Sequence, residues 1–192
     1  MMNKKYQLLL DDTIVREGRK LYRIQALRDL TEEVKAKMLG GYLESEANLS
    51  HEGDCWIYRN ACAYEDARVE GDALLSGWST LRGKAKLIEG ARIFGHAIVQ
   101  GEATVGGESR ILDQVVVGGS AILKGNIFLY EKVHIGGNAY LEGTNPRELI
   151  LQGTTMIHGD TIMQGYGRFP ERDAIFETGS FLIEEEKDDE DD

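Results

Sequence analysis

Residues 54–143 repeat a six-residue unit without one insertion or deletion. At the fourth position of this unit, fourteen of the fifteen residues are Leu, Ile or Val. Ala is the commonest residue at the second position, and Gly recurs at the sixth, where a positive φ suits a tight turn. Residues two apart point to the same side of an extended strand, so each unit predicts one short strand followed by one corner. Six residues cannot bury their own apolar edge, so the units must stack as a β-solenoid.

The alternation of a small residue, a branched aliphatic residue and Gly resembles the hexapeptide repeat of the left-handed parallel β-helix proteins. In that family three units make an 18-residue triangular coil. The left-handed sense is implied by this resemblance alone, because the general crossover rule favours the right hand. Fifteen units make five coils, and the repeat resumes over residues 148–165 after a four-residue slip at residues 144–147. The expected fold is therefore an all-β, left-handed parallel β-helix of about six coils over residues 48–165, with a partial coil over residues 42–53 as one interpretation of its start.

A second resemblance covers residues 21–58. Leu-Tyr-Arg-Ile-Gln-Ala-Leu-Arg-Asp precedes Gly-Gly-Tyr-Leu-Glu-Ser-Glu-Ala-Asn-Leu-Ser-His-Glu-Gly-Asp-Cys-Trp-Ile-Tyr in this stretch. It is similar to the head segment of the YdcK-type hexapeptide-repeat proteins of enterobacteria and their phages. That family is labelled as acetyltransferases without an assigned substrate, so the resemblance implies an acyl-transfer activity of unspecified target.

The 192 residues suffice for one domain with a continuous core, and they carry a net charge of −11. Residues 184–192 hold eight acids and one lysine, which predicts a short disordered acidic tail. A regular negative rod could imitate a nucleic acid, but the tail accounts for most of the charge, and direct binding to nucleic acid is disfavoured. No apolar run approaches ~18 residues and no signal-peptide pattern follows Met1, so we expect a cytoplasmic protein that does not enter a membrane.

Residues 1–47 break the six-residue pattern and predict an N-terminal cap, because the open end of a solenoid exposes unpaired strand edges. Apolar stretches at residues 5–10 and 20–27 around Glu17-Gly18 indicate a hairpin. Residues 31–39 indicate a short helix with Thr31 as its N-cap.

Residues 166–183 contain enough apolar side chains to predict a C-terminal extension that folds back over the last coil or along a face. Cys55 falls at an inward position and Cys62 at an outward one, so a disulfide between them is not expected.

Adding 18 to a residue number finds the outward residue on the same face one coil later. The first face then carries two rows: Trp56, Leu74, Arg92, Arg110 and Phe128 in one, and Tyr58, Ser76, Phe94, Leu112 and Tyr130 in the next. We call their apolar members the aromatic stripe: Trp56, Tyr58, Leu74, Phe94, Leu112, Phe128 and Tyr130. Each aromatic ring can bury ~150–250 Å², so the stripe exceeds the apolar patch that a monomer surface tolerates. Its cover is either the chain's own N- or C-terminal arm or a neighbouring subunit, and the family resemblance implies a homotrimer. A different protein partner is also compatible with the stripe.

The second face carries three of the four histidines, namely His96, His134 and His158. The family resemblance implies that an acyltransferase would use a histidine in the later coils as general base, with acetyl-coenzyme A along the coils, which points to His134 or His158. A histidine suits this role because its pKa lies near neutrality. The only corner insertion, at residues 144–147, is shorter than the catalytic loop of that family.

The sequence lacks the histidine pair, five residues apart, of the zinc-dependent carbonic anhydrases of this fold, and it lacks a P-loop, a nucleophile elbow and a CxxC pair. We expect no metal site. Two hypotheses for function follow. The first is a non-enzymatic binding or scaffold protein without a cofactor, such as a phage or host accessory factor, that acts through its flat faces and the aromatic stripe. The second is an acyl-coenzyme A dependent acetyltransferase.

Overall fold

The computed structural model describes residues 4–144, 146–169 and 174–184. The acidic tail predicted from residues 184–192 lies outside them apart from its first residue. Within these ranges the chain forms strands and a single short 3-10 helix, Glu46–Asn48. In chain order the strands are β1 (Tyr6–Arg16), β2 (Arg19–Ala26), β3 (Leu39–Leu43), β4 (Trp56–Ile57), β5 (Cys62–Ala63), β6 (Arg68–Val69), β7 (Leu74–Leu75), β8 (Thr80–Leu81), β9 (Lys86–Leu87), β10 (Arg92–Ile93), β11 (Ile98–Val99), β12 (Thr104–Val105), β13 (Arg110–Ile111), β14 (Val116–Val117), β15 (Ile122–Gly125), β16 (Ile127–Leu129), β17 (His134–Ile135), β18 (Tyr140–Gly143), β19 (Leu149–Leu151), β20 (Met156–Ile157), β21 (Ile162–Gly165), β22 (Gly167–Arg168), β23 (Ile175–Phe176) and β24 (Ser180–Ile183).

The strands stack into three sheets that form the sides of a solenoid. Sheet 1 has ten strands in the order β1-β2-β3-β5-β8-β11-β14-β17-β20-β23, and only its first two pairings are antiparallel. Sheet 2 has seven strands, β22-β19-β16-β13-β10-β7-β4, and sheet 3 has seven, β24-β21-β18-β15-β12-β9-β6. Arg92 pairs with Arg110 and Ile93 with Ile111, which is the 18-residue register that the repeat predicts. The all-β parallel solenoid is therefore confirmed, whereas its left-handed sense stays a prediction.

The solenoid has about eight turns rather than the six expected. At its N-terminal end β3 pairs in parallel with β5, so the stretch before the clear repeat already belongs to the stack. At its C-terminal end β22, β23 and β24 each continue one sheet, instead of folding back over the last coil. The prediction of six was wrong because strands of two to four residues can join the stack without keeping the hexapeptide signature.

The interior of the shaft is filled by the second and fourth positions of the repeat. Their aliphatic side chains are fully buried in one continuous cluster from Tyr6 to Ala174. Where a hydroxyl residue occupies the second position, it bonds to the backbone of its own corner: Ser79 Oγ donates to the carbonyl oxygen of Ser76 at 2.7 Å, and Thr161 Oγ1 donates to that of His158 at 2.8 Å. These polar side chains are tolerated inside the shaft because their hydrogen bonds are satisfied.

The N-terminal hairpin is present, with β1 and β2 joined at Glu17 and Gly18, both of which have positive φ. The helix expected over residues 31–39 is not formed. Instead Thr31 Oγ1 accepts from the amide of Val34 at 3.1 Å and closes a turn, and Leu39 begins β3. Thr31 therefore caps a turn rather than the expected helix, because pairing of β3 with the sheet overrides the helical propensity of the residues that follow Thr31.

The hairpin packs against both the open end and the outside of the first coils. Tyr6, Ile24 and Ala26 enter the main cluster at the end of the shaft, and Leu21 packs with Tyr42, Cys62 and Tyr64 on the outer side of sheet 1. Cys55 and Cys62 are both buried and unpaired. None of the helical residues in the described ranges forms a segment able to cross a membrane.

Lys5 donates hydrogen bonds to carbonyl groups at the open end of the first coil. Its ammonium group is fully buried and donates to the carbonyl oxygens of Gly53 at 3.2 Å and Cys55 at 2.9 Å. One coil later the equivalent carbonyls, those of Gly71 and Ala73, accept backbone N–H groups from the preceding coil, at 2.9 and 3.1 Å. Lys5 thus supplies the donors that a preceding coil would supply.

Tyr6 acts in the same way on the next side of the shaft. Its hydroxyl donates to the carbonyl oxygens of Leu49 at 2.8 Å and Glu46 at 3.0 Å. Lys5, which precedes β1, and Tyr6, the first residue of β1, therefore satisfy carbonyl groups that would otherwise be buried without a donor.

We predict that Lys5→Met lowers the free energy of unfolding by about 1–3 kcal/mol, because it leaves buried carbonyl oxygens without donors. Urea denaturation measures this change. Lys4→Met is the matched control, since Lys4 pairs with Glu46 at an exposed position and should contribute less than about 1 kcal/mol. Equal losses in the two variants would contradict the capping role.

Candidate functional site

A groove runs along the corner between sheets 2 and 1, and we call it the corner groove. It encloses about 620 Å³ and crosses four successive coils. Its lining residues come in adjacent pairs, one pair from each coil: Gly95 and His96, Asp113 and Gln114, Glu131 and Lys132, and Gly153 and Thr154. The groove exists because the same corner recurs at the same place in every coil.

Two rows of outward side chains flank the corner groove. Phe94, Leu112 and Tyr130 of the aromatic stripe immediately precede it in the chain, on the side of sheet 2. On the side of sheet 1, the flanking row passes through Ile98, Val116, His134 and Met156, which pair strand to strand. The lining of the groove is polar apart from its glycines, and the two rows that flank it are mainly apolar, an arrangement suited to an extended ligand with mixed chemistry.

The acidic residues of the groove hold the corner together. Asp113 and Glu131 occupy the sixth position of the repeat with φ of 56° and 64°. Asp113 Oδ2 accepts the amide of Glu131 at 3.0 Å, and Glu131 Oε2 accepts the amide of Gly153 at 2.8 Å. Each carboxylate thus bonds the same corner one coil later, which compensates for the strain of a non-glycine residue at positive φ.

Sequence reasoning missed these corner acids. Glu65 and Glu89 do the same at other corners, accepting the amides of Gly83 and Gly107. The signal was available, because each of these acids replaces the Gly that otherwise recurs at the sixth position.

The N-terminal segment covers the first part of the aromatic stripe. Trp56 is fully buried and its ring meets that of Tyr6 edge-on at 6.4 Å between centroids. Tyr58 and Leu74 are half-buried and pack against the main cluster, and the Tyr58 hydroxyl lies 3.5 Å from the carboxylate of Glu33. At these coils the chain's own arm is the cover.

The rest of the aromatic stripe has no such cover within the described ranges. Phe94, Leu112, Phe128 and Tyr130 are half-buried, like Tyr58 and Leu74. Phe128 and Tyr130 contact each other with ring centroids 5.2 Å apart, and the Tyr130 hydroxyl donates to the side-chain oxygen of Gln152. The uncovered part of the stripe therefore begins at the third coil of sheet 2 and borders the corner groove.

His134 lies at the rim of the corner groove and is exposed. Its Nδ1 is 2.9 Å from the carbonyl oxygen of Lys132, which can only accept, so Nδ1 carries the proton and Nε2 of the neutral ring is an acceptor. His158 is half-buried one coil later, where its ring packs over Gly136. Neither ring is bonded to a carboxylate of the described residues.

Of the other two histidines, His96 also lines the corner groove, whereas His51 packs against Tyr6 of the N-terminal hairpin. The His96 ring stacks on that of Trp78 at 6.5 Å, and His51 is stacked under Tyr6 at 4.5 Å. In the described part of the chain, no three His, Cys, Asp or Glu side chains lie close enough together to hold a metal ion. Burial raises the pKa of both cysteine thiols, which keeps them protonated and unreactive.

These features define a hexapeptide-repeat parallel β-solenoid with a groove at one corner. No protein-family model matches the chain. Over 65 residues the chain is 38% identical to a protein of Escherichia coli (strain K12) named "Uncharacterized acetyltransferase YdcK". The match covers 33% of this chain and 20% of the E. coli protein. This weak homology and the solenoid together confirm the resemblance to the YdcK-type hexapeptide-repeat proteins.

We predict that Asp113→Ala lowers the free energy of unfolding more than Asp113→Gly, by about 1 kcal/mol. Both variants lose the hydrogen bond to the next coil, but only alanine keeps a Cβ at positive φ. Thermal or urea unfolding of the two variants measures the difference. A more stable alanine variant would show that this corner does not hold the left-handed backbone conformation.

Proposed function

We propose that this chain is a binding protein that assembles with copies of itself through two uncovered faces and holds its ligand in the corner groove. The observation that carries the proposal is that apolar rows on two different sheets meet at this groove. Phe94, Leu112 and Tyr130 form one row on sheet 2, and Phe128 lies beside Tyr130 in the neighbouring row, which also carries Arg92 and Arg110. Ile98, Val116, His134, Met156 and Ile175 form the other on sheet 1, which is apolar except for His134, and Met156 and Ile175 are 36% and 66% exposed.

Two different apolar faces favour a cyclic assembly. A two-fold contact uses the same patch on both subunits, whereas a closed ring joins one face of each subunit to a different face of the next. The angle between two sides of a triangular solenoid suits a ring of three. In such a homotrimer the corner groove of each subunit would lie beside a neighbour, and both rows would be removed from water.

The N-terminal hairpin supports this arrangement. Leu21 covers Tyr42, Cys62 and Tyr64 on sheet 1, and Tyr6 covers Trp56 on sheet 2. Intramolecular cover thus ends on both sheets after the first coils, which leaves the later coils as the surface for association.

We predict a solution mass near three times 21.4 kDa by light scattering on a sizing column. Phe94→Glu combined with Tyr130→Glu should reduce the mass to that of the monomer, because two carboxylates would be desolvated in the contact. The matched control is Thr104→Glu combined with Ile122→Glu, at outward positions of sheet 3 one coil apart, and it should keep the wild-type mass. A monomeric wild-type protein would refute the assembly.

A second candidate function is acyl transfer from acetyl-coenzyme A. Two observations favour it: the acetyltransferase name of the E. coli relative, and the orientation of His134. With Nδ1 held by a backbone carbonyl, Nε2 faces outward and can take a proton from a hydroxyl or amine, as a general base must. His158 is less suited, because its ring packs over Gly136 of the preceding coil.

For this candidate we predict that acetyl-coenzyme A stabilises the folded protein. At 100 times its Kd a ligand adds ~2.7 kcal/mol to the free energy of unfolding, which thermal denaturation detects. His134→Ala should keep this stabilisation, since the base contributes to proton transfer rather than to binding. Absence of any shift at millimolar acetyl-coenzyme A would contradict the enzymatic function and leave the binding function standing.

A further inference from the structure

A second cavity lies at the opposite edge of sheet 2, beside the four-residue insertion in the hexapeptide repeat. It encloses about 680 Å³, and Arg110, Arg147 and Arg168 all line it. Among the described residues, Glu148 is the only one that contributes a carboxylate to its lining. The cavity thus gathers three cations and one anion on a chain whose net charge is −11.

Two of these arginines have no ionic partner among the described residues. Arg110 lies 3.5 Å from the carboxylate of Glu148. Arg147 and Arg168 are exposed and form no ion pair with any residue of the described ranges. Both guanidinium groups line one cavity, and like charges there repel each other unless an anion lies between them. The arrangement therefore favours a bound anion.

The insertion positions Arg147. The side-chain amide nitrogen of Asn126 donates to the carbonyl oxygen of Pro146 at 3.3 Å, which ties the insertion to the preceding coil. The Arg147 guanidinium carbon lies 4.7 Å from the centre of the Tyr166 ring. Tyr166 immediately precedes β22, which carries Arg168, so this stacking holds the two guanidinium groups on the same side of the cavity.

Asn126 supplies a further polar group. Its side-chain oxygen is buried and has no hydrogen-bond partner among the described residues, and the residue lines the cavity. A buried acceptor without a donor is costly, so a ligand that brings a hydroxyl group would gain a hydrogen bond here.

We propose that this cavity binds a small phosphate ester that also carries a hydroxyl group. The phosphate would lie between Arg147 and Arg168, whose planar donor groups match phosphate oxygens, and the hydroxyl would donate to Asn126. Arg110 is three strands from Arg168, about 14 Å at the usual strand spacing, so it closes the far end rather than holding the same phosphate. This site is separate from the corner groove and does not depend on the function proposed for it.

Isothermal titration calorimetry with glycerol 3-phosphate, at fixed ionic strength, tests the site on the full chain. Arg147→Gln and Arg168→Gln should each weaken binding by at least about tenfold, since each removes a charge-assisted hydrogen bond. Arg68→Gln is the matched control, because Arg68 is an exposed arginine on sheet 3 and its loss changes the net charge equally. Thermal unfolding without ligand verifies that all three variants fold.

Three results would overturn the proposal or part of it. No heat with millimolar glycerol 3-phosphate, or an equal loss in Arg68→Gln, would show that the arginines form no site. If inorganic phosphate binds as tightly as the ester, the ligand of this cavity is free phosphate rather than a phosphate ester. Tighter binding of the ester, lost in both cavity variants and kept in the control, supports the proposal.

Discussion

Backbone hydrogen bonds between successive coils are the constraint on which the rest of this structure depends. The strands from β4 onward have only two to four residues, so none of them is stable alone and each needs its neighbouring coils. The bonds have a direction at the corners, where amides of one coil donate to carbonyls of the next, as from Asn60 to Gly77 and from Trp78 to Gly95. The first coil is therefore left with carbonyl oxygens that need donors. Lys5 and Tyr6 provide them, which explains why a lysine can be fully buried at the end of an apolar shaft.

The same stacking determines where functional sites can lie. Outward residues on a flat side are repeated every coil, so they build extended rows rather than pockets. Cavities form where the repeat turns or breaks: the corner groove at the junction of sheets 2 and 1, and the arginine-lined cavity beside residues 144–147. Corner acids such as Asp113 accept hydrogen bonds from amides of the next coil, so these carboxylates stabilise the fold whether or not a ligand is bound.

The hexapeptide pattern predicted the core and the register well because both are local properties of a repeating unit. It placed Ile93 and Ile111 inside the shaft and in adjacent coils, as observed. It assigned Trp56 correctly to an outward row but could not show that Tyr6, fifty residues earlier, covers the ring. The helix expected after Thr31 failed for a similar reason, since pairing of β3 with distant strands decides that segment. The histidines were assigned to the right face, whereas the orientation of the His134 ring depends on a backbone carbonyl that no pattern reveals.

The direct test of the coil-to-coil ladder is a solution NMR measurement of scalar couplings across hydrogen bonds in the isotope-labelled protein. The structure predicts a coupling from the amide nitrogen of Phe94 to the carbonyl carbon of Ile111, and from that of Arg92 to Ser109, each seventeen residues along the chain. Couplings from these amides to residues close in sequence, or to a register other than this one, would contradict the stacked-coil account.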